Sequence, residues 1–321
     1  QNLVDSALRR GARRYAVQRE GVAILLPPGE AGEGELAWVT KDRVITAADL
    51  QPAGEGPTDE GGPSYTFVST YNPSQDLRLD IHRLSPPSAS DESFKTFMRH
   101  LLAFNSKRTI GWLLGWHVSC FHRELHHRAH KEFPILWVFG AAGSGKSKSM
   151  SVFYRMFRTE PEEGWNQLQG GMATKFSWRA LRTQSTTIPT VIDEFKQVSF
   201  RGFEYKELLA EIRGAYDRAV VTRGGNRSGR ANSSFSEIVT FPCTSPIAVL
   251  SEAYTDETAM QGRAIPVAFS HDDRHVESWR AVNHRSNQGH MPSLGSLLLR
   301  RTLMLGLSGF DAAWQAAQEE T

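Results

Sequence analysis

Residues 138–150, VFGAAGSGKSKSM, hold the densest chemistry in the chain. Counting from Gly140, four residues pass before Gly145, and Lys146 and Ser147 follow directly. In a G-x-x-x-x-G-K-[ST] turn, successive backbone N–H groups converge on a polyphosphate, the lysine reaches its β and γ phosphates, and the serine hydroxyl is offered to Mg²⁺. Gly140, Ala141, Ala142, Gly143, Ser144, Gly145, Lys146, Ser147 and Lys148 are therefore the candidate nucleotide-binding residues. A turn that merely needs small residues would have the same composition, so the flanks decide. FPILWVF (133–139) is an apolar run suited to a parallel strand buried on both faces. After the turn, Met150, Phe153, Met156 and Phe157 recur at helical spacing. A helix should thus open where the phosphate would sit and add its unpaired amides and dipole.

A phosphate turn of this kind hydrolyses nothing without an acidic partner. TTIPTVIDEF (186–195) supplies one, an apolar run ending in Asp193 and Glu194. Adjacent carboxylates at a strand end point in different directions and can divide the work. Asp193 would hold Mg²⁺ beside Ser147, and Glu194 would take a proton from the attacking water. The segment between the two motifs predicts a helix from about Thr174, with Phe176 and Leu181 facing a sheet.

Beyond the acids, the runs RAVVT and EIVTF flank a stretch rich in Gly, Ser and Asn. From Arg218 to Ser236 there are four arginines and no acid. A hairpin carrying Arg223, Arg227 and Arg230 could grip a phosphate backbone without reading sequence; a solvated loop kept soluble by its arginines is the competing reading. SPIAVLSEA (245–253) is another buried-strand run, and Ser251 at its end could orient the attacking water. Arg263 precedes the apolar run AIPVAF, a place from which it could stabilise charge on a neighbouring chain's phosphoryl group.

The elements that must position these residues follow from pattern. Residues 1–88 read as a small β-rich unit of short strands broken by Pro/Gly clusters. Residues 89–132 read as a helical connector, with Phe94, Phe97, Met98, Leu101 and Leu102 on one face and a second helix from Thr109 to about Lys131. The α/β core spans 133–270, and 271–321 reads as helical. In HVSCFHRELHHRAH (117–130), His122, His126 and His130 lie four apart; an exposed, occasionally cationic helix face is expected there rather than a metal site, since no second ligand cluster appears. Trp112 and Trp116 read as packing anchors.

Composition excludes little else. Lys and Arg number 37 against 35 Asp and Glu, so a polyanionic partner must be argued from local clusters. Two cysteines, Cys120 and Cys243, cannot build a disulfide framework and point to a reducing, cytoplasmic setting. The most apolar stretch, 109–121, is too short to cross a bilayer, and no signal pattern is seen. A start at Gln1 leads to the expectation of a piece of something longer.

In this order, the motifs resemble the AAA+ helicases of superfamily three and their relatives, the primase-helicases of phages, plasmids and mobile elements. The resemblance covers about 133–270, and its specific part is the Gly140–Ser147 turn with the Asp193–Glu194 pair. It implies a P-loop AAA+ core of α/β class, a parallel sheet sandwiched by helices. It implies ATP and Mg²⁺, a catalytic set of Lys146, Glu194, Arg263 and Ser251, and Ser147 and Asp193 at the metal. Arg223, Arg227 and Arg230 would lie on or near a pore hairpin holding single-stranded or forked DNA. Arg263 would act in trans, which implies a homo-oligomeric ring, most often a hexamer, with a primase or polymerase module as a possible companion in a bacterial host. Two departures stand out: the family usually has Asn where Ser251 stands, and its hairpin loop is shorter. An AAA+ ATPase that remodels a protein complex and a slow nucleotide-dependent assembly switch are the alternatives.

Overall fold

The computed structural model describes residues 14–17, 19–25, 34–40, 44–50, 64–67, 81–88, 90–158, 167–169, 174–196, 202–226 and 236–319. Strands β1 (Arg14–Val17) and β5 (Ser64–Phe67) pair in parallel, and β2 (Gly21–Leu25), β3 (Glu35–Val39) and β4 (Val44–Thr46) form a three-stranded antiparallel sheet. Helices α1 (Glu92–Ala103), α2 (Lys107–Phe121) and α3 (Arg123–His130) follow. Asp91 caps α1 by accepting from Phe94 N, and Ser106 caps α2 by accepting from Thr109 N. The single helix expected from Thr109 is broken at His122, which leaves helical geometry at φ −101°, ψ 7°.

Five strands, β6 (Ile135–Gly140), β7 (Gln167–Gln169), β8 (Thr190–Asp193), β11 (Ile247–Ser251) and β12 (Ala264–Phe269), make one parallel sheet in the order β12-β6-β11-β8-β7. Between them run α4 (Lys146–Tyr154), α5 (Lys175–Leu181), α6 (Gly202–Arg213), a hairpin of β9 (Val220–Asn226) with β10 (Ser236–Pro242), and α7 (Thr258–Gln261). Helices α8 (Val276–Val282) and α9 (His290–Glu319), the latter kinked at Gly306, end the described chain. The run LRLDIHRL (77–84), strand-like by sequence, differs: residues 81–84 of it are described, and Ile81–Arg83 is a 3₁₀ turn.

Right-handed crossovers put connections that run in opposite directions along a sheet on opposite faces. From β6 the chain moves toward the β7 edge; every later step moves back toward β12. The core divides accordingly. Leu136, Val138, Val191, Ala248 and Leu250 pack on one face with Met150, Val152 and Phe153 of α4. Their strand neighbours Ile135, Trp137, Ile192, Ile247 and Val249 pack on the other face with Trp178 of α5, Leu209 and Ile212 of α6 and Met260 of α7. Both faces being covered explains why these strands read as unbroken apolar runs.

The first of these cores continues into the N-terminal sheet through Val22, Leu36, Trp38 and Ile45 and into α9 through Leu299, Leu303 and Phe310. Trp38 stacks on Phe121 of α2, and Val22 N donates to Thr187 Oγ1 (2.8 Å) just before β8. Within α2, Trp116 is buried and donates to Pro134 O, as an anchor should, whereas Trp112 lies 47% exposed.

The histidine-rich stretch is packing, not a cationic face. His122 and His126 lie against Phe310 and His130 against Trp314, and burial pushes the His126 imidazole down to about 4, so it is neutral at pH 7. Among the described residues no group of three or more His, Cys, Asp or Glu is placed to hold a metal. His117 is wholly buried; its Nδ1 donates to Leu113 O (2.7 Å), its ring stacks on Phe153 of α4, and Nε2 has no partner. Protonating Nε2 would bury an unpaired charge, and desolvation pushes the His117 pKa down to about 4. The folded chain therefore binds fewer protons than the unfolded chain between about pH 6.5 and 4. Stability is expected to be intact above that window and to fall on acidification through it by about 1.4 kcal/mol per pH unit for each of the two groups, His117 and His126. Urea midpoints across pH check this, and His117→Leu should flatten the profile by one group's worth.

Candidate nucleotide-binding site

Two adjacent strands, β6 and β11, send the chain off in opposite directions, so a crevice opens between their carboxyl ends, where ligands of open parallel sheets bind. The Gly140–Ser147 turn stands on one lip. Gly140 has φ +150°, and a Cβ there would lie 2.2 Å from Phe269 O of β12, so only glycine lets the turn leave the sheet at this point. Gly143 and Gly145 also take positive φ, and Gly145 begins α4 with no side-chain cap, leaving first-turn amides available to an anion.

Lys146 lies folded over its own turn. Its Nζ donates to Gly140 O (2.7 Å) and Ala141 O (2.9 Å) and is 3.4 Å from Ser144 Oγ. Partial burial lowers its pKa, and the Glu252 and Asp193 carboxylates oppose that shift by favouring the ammonium. The sheet thus brings the turn's lysine within electrostatic reach of the acid at the end of β8 and of the residue just past β11.

Asp193 is half-buried at the end of β8, and its Oδ1 accepts from Glu194 N (2.8 Å). Glu194 is exposed and sits in the left-handed region at φ +52°, one of the few non-glycine residues to do so. Ser147 forms no side-chain bond to another described residue. A serine hydroxyl and a carboxylate are hard oxygen donors, the set Mg²⁺ accepts when phosphate and water oxygens complete its shell, so the chemistry of Ser147 and Asp193 fits such an ion.

The Ser251 hydroxyl is engaged within the sheet. It is buried on the Trp137 face of the sheet, accepts from Trp137 Nε1 (2.8 Å) and gives its only proton to Ala253 O. The strand end instead presents Glu252, exposed and bridged to Lys196 (2.6 Å), which holds the Glu252 carboxyl below the usual range.

Arg263 precedes β12, at the amino end of the sheet; its carbonyl accepts from Ile135 N, where β6 begins. The length of a six-residue strand, about 20 Å, separates it from the turn of its own chain. Its guanidinium donates to Ala259 O and lies over Tyr216. Arg223 falls on β9, opposite Val239 in the hairpin register, while Arg227 and Arg230 lie outside the described residues.

Two residues missed in the sequence touch the phosphate turn. His271 Nε2 donates to Ala142 O (3.1 Å), and Arg274 Nη1 donates to Gly143 O (3.3 Å). Both lie in HDDRH, just past β12, and β12 pairs with β6. Charge at that strand end was the only signal, and it becomes informative once the strand order is known.

No protein-family model matches the chain, and no curated protein does. Among solved structures it is similar to the active helicase Cch of SCCmec type IV, at 14% identity and a TM-score of 0.46, covering 95% of this chain and 50% of that one. It is also similar to the apo C-terminal region of NrS-1 (13% identity, TM-score 0.43, 94% and 70% covered). The JCV helicase bound to a thiazolopyridine compound follows (16% identity, TM-score 0.36, 66% and 55% covered). The chain spans half the length of the first of these proteins. At such identities and scores the likeness transfers no residue role. No described helix is long and apolar enough to cross a membrane.

Proposed function

We propose that the chain is the motor domain of an ATP-driven helicase that moves single-stranded DNA through a homo-oligomeric ring, most simply a hexamer. The observation that carries the reading is the placement of the Gly140–Ser147 turn after β6 and of Asp193 at the end of β8, at the carboxyl ends of two strands that flank β11 in one parallel sheet. The turn's amides and Lys146 would hold the triphosphate, with Arg274 as a second cation from the same chain. Ser147 and Asp193 would hold Mg²⁺, which when bound screens the phosphate charge. Glu194 would accept the proton of the attacking water.

Arg263 cannot serve its own chain's crevice, so its use in hydrolysis requires an adjacent subunit, and this supports a ring. Arg223, Arg227 and Arg230 supply the cations for a phosphate backbone, and no acid between Arg218 and Ser236 opposes them.

The test is nucleotide turnover with and without single-stranded DNA, alongside particle mass with nucleotide present. Turnover should rise with DNA in a salt-sensitive way, and replacing Arg223, Arg227 and Arg230 together by Ala should remove that rise. A rise that survives the triple change would sink the hairpin assignment. Turnover indifferent to DNA would point instead to remodelling of a protein complex, and tight binding with negligible turnover to an assembly switch.

A further inference from the structure

The β9–β10 hairpin stands on two feet, Arg218 and Ala219 just before β9 and Cys243 and Thr244 just after β10. Consecutive residues at the start of α3 hold both. Arg123 donates from Nη1 to Thr244 O and from Nη2 to Cys243 O (3.3 Å), and its guanidinium lies over the Phe133 ring. Glu124 Oε1 accepts from Arg218 Nη2. The outgoing foot runs on into β11, so these contacts sit where the hairpin joins the parallel sheet.

The charges involved are largely withdrawn from water. Arg123 is 1% exposed, and the side chains of Arg218 and Glu124 are 18% and 13% exposed. Burial opposes the Arg218 charge, and so do the neighbouring guanidinium groups of Arg123 and Arg19. Arg123 Nε and Arg218 Nε have no partner. Glu124 is therefore the acid that offsets two cations held within electrostatic reach of each other. Arg218 also takes φ +57°, a backbone conformation that side chains rarely adopt and that persists where surrounding contacts over-determine it. None of this is needed to make a hairpin, since β9 and β10 pair along seven residues without it. What the ion pair adds is a direction.

We propose that Glu124 and Arg218 are positioning residues that fix the angle at which the hairpin leaves the sheet, and that its grip on single-stranded DNA depends on that angle. The nucleic-acid part rests on the hairpin reading above. Arg218, spent on Glu124, is on this account an anchor and not a phosphate contact. The two roles predict opposite signs. If Arg218 held phosphate, removing Glu124 would release it and strengthen DNA binding. As an anchor, it needs Glu124, and removing that acid weakens DNA binding although the chain becomes more positive.

The test uses the intact 321-residue chain, a labelled oligothymidylate, and spin labels at Arg128→Cys and Thr240→Cys, both exposed positions. Cys120 and Cys243 are buried and escape labelling. Glu124→Gln should bind the oligonucleotide about tenfold more weakly than the parent. One unpaired buried charge can unfold a chain, whereas exchanging both partners for apolar side chains is often neutral, so Glu124→Met with Arg218→Met is the second variant. Its melting temperature and its turnover without DNA should match the parent. Its DNA affinity should fall about tenfold, and the label distance should spread from a narrow distribution to a broad one. Arg218→Lys, which keeps a donor for Glu124, should bind within about threefold of the parent. A double-methionine variant with parental DNA affinity or an unchanged narrow distance overturns the proposal, as does tighter DNA binding by Glu124→Gln. A parent chain that binds no DNA overturns the hairpin reading instead, and the distance, which needs no DNA, still decides the anchor.

Discussion

Replacement of Lys146 by Ala is expected to cut nucleoside triphosphate hydrolysis by at least about a thousandfold, the upper range for deleting one preorganised charge donor at a site of developing negative charge. The physical reason lies in what surrounds the ammonium. Without ligand it rests on the carbonyls of Gly140 and Ala141 and on Ser144 Oγ, partly withdrawn from water, where partial burial lowers its pKa. Carbonyls are neutral acceptors; a triphosphate offers full charge, and exchanging one for the other gains from the reduced dielectric of the crevice. The same contacts make the lysine a minor contributor to the fold, since both carbonyls lie at an open turn. Melting temperature should therefore barely move while turnover collapses. Arginine is no substitute, because its longer planar fork cannot occupy the same close position over the turn. The check is phosphate release beside thermal unfolding. Retention of a tenth of parental turnover would remove Lys146 from the phosphate site.

Much of this arrangement was legible before any coordinates. The β6 strand, the turn and α4 could be read from FPILWVF, the glycine spacing and the helical recurrence of Met150, Phe153, Met156 and Phe157, all four of which are buried. The acid strand could be read because a run buried on both faces must end where its first carboxylate meets solvent. The helix over Lys175–Leu181 was legible from Thr174, which caps it by accepting from Ser177 N. These are local signals, in which the residues that specify the structure are those that form it.

What was not legible depends on strand order and on which way alternate side chains face. Ser251 looked available because it ends a strand beside the crevice, yet the period of two turns it onto Trp137 and leaves Glu252 in the open. His271 and Arg274 lie far from the glycine turn in sequence. They reach it only because β12 pairs with β6. The histidines of α3 looked like a solvated face because the cover, Phe310 and Trp314, comes from a helix almost two hundred residues later.

Glu194→Gln should separate binding from chemistry. It preserves size and shape and removes the carboxylate proposed to accept the proton, so turnover should fall by roughly 10²–10⁴-fold, the range for loss of a general base, with nucleotide affinity retained. The backbone at this position supplies a second measurement. A side chain at φ +52° costs about 1–2 kcal/mol relative to ordinary conformations. Nothing in the packing demands that cost: Glu194 is exposed, and the turn is held by its N–H to Asp193 Oδ1 and by Phe195 N to Leu250 O. Glycine adopts this conformation freely, though it enlarges the entropy of the unfolded chain. Glu194→Gly is therefore expected to leave stability unchanged or raise it by up to about 1 kcal/mol, while turnover is lost as completely as in Glu194→Gln. Strain kept at an exposed residue whose removal stabilises the chain and ends its activity is the pattern of a functional group held in place against local preference. If Glu194→Gln turns over at more than a tenth of the parental rate, or Glu194→Gly unfolds more easily than the parent, the proton acceptor must be sought in Glu252, just past β11, whose carboxylate is bridged to Lys196.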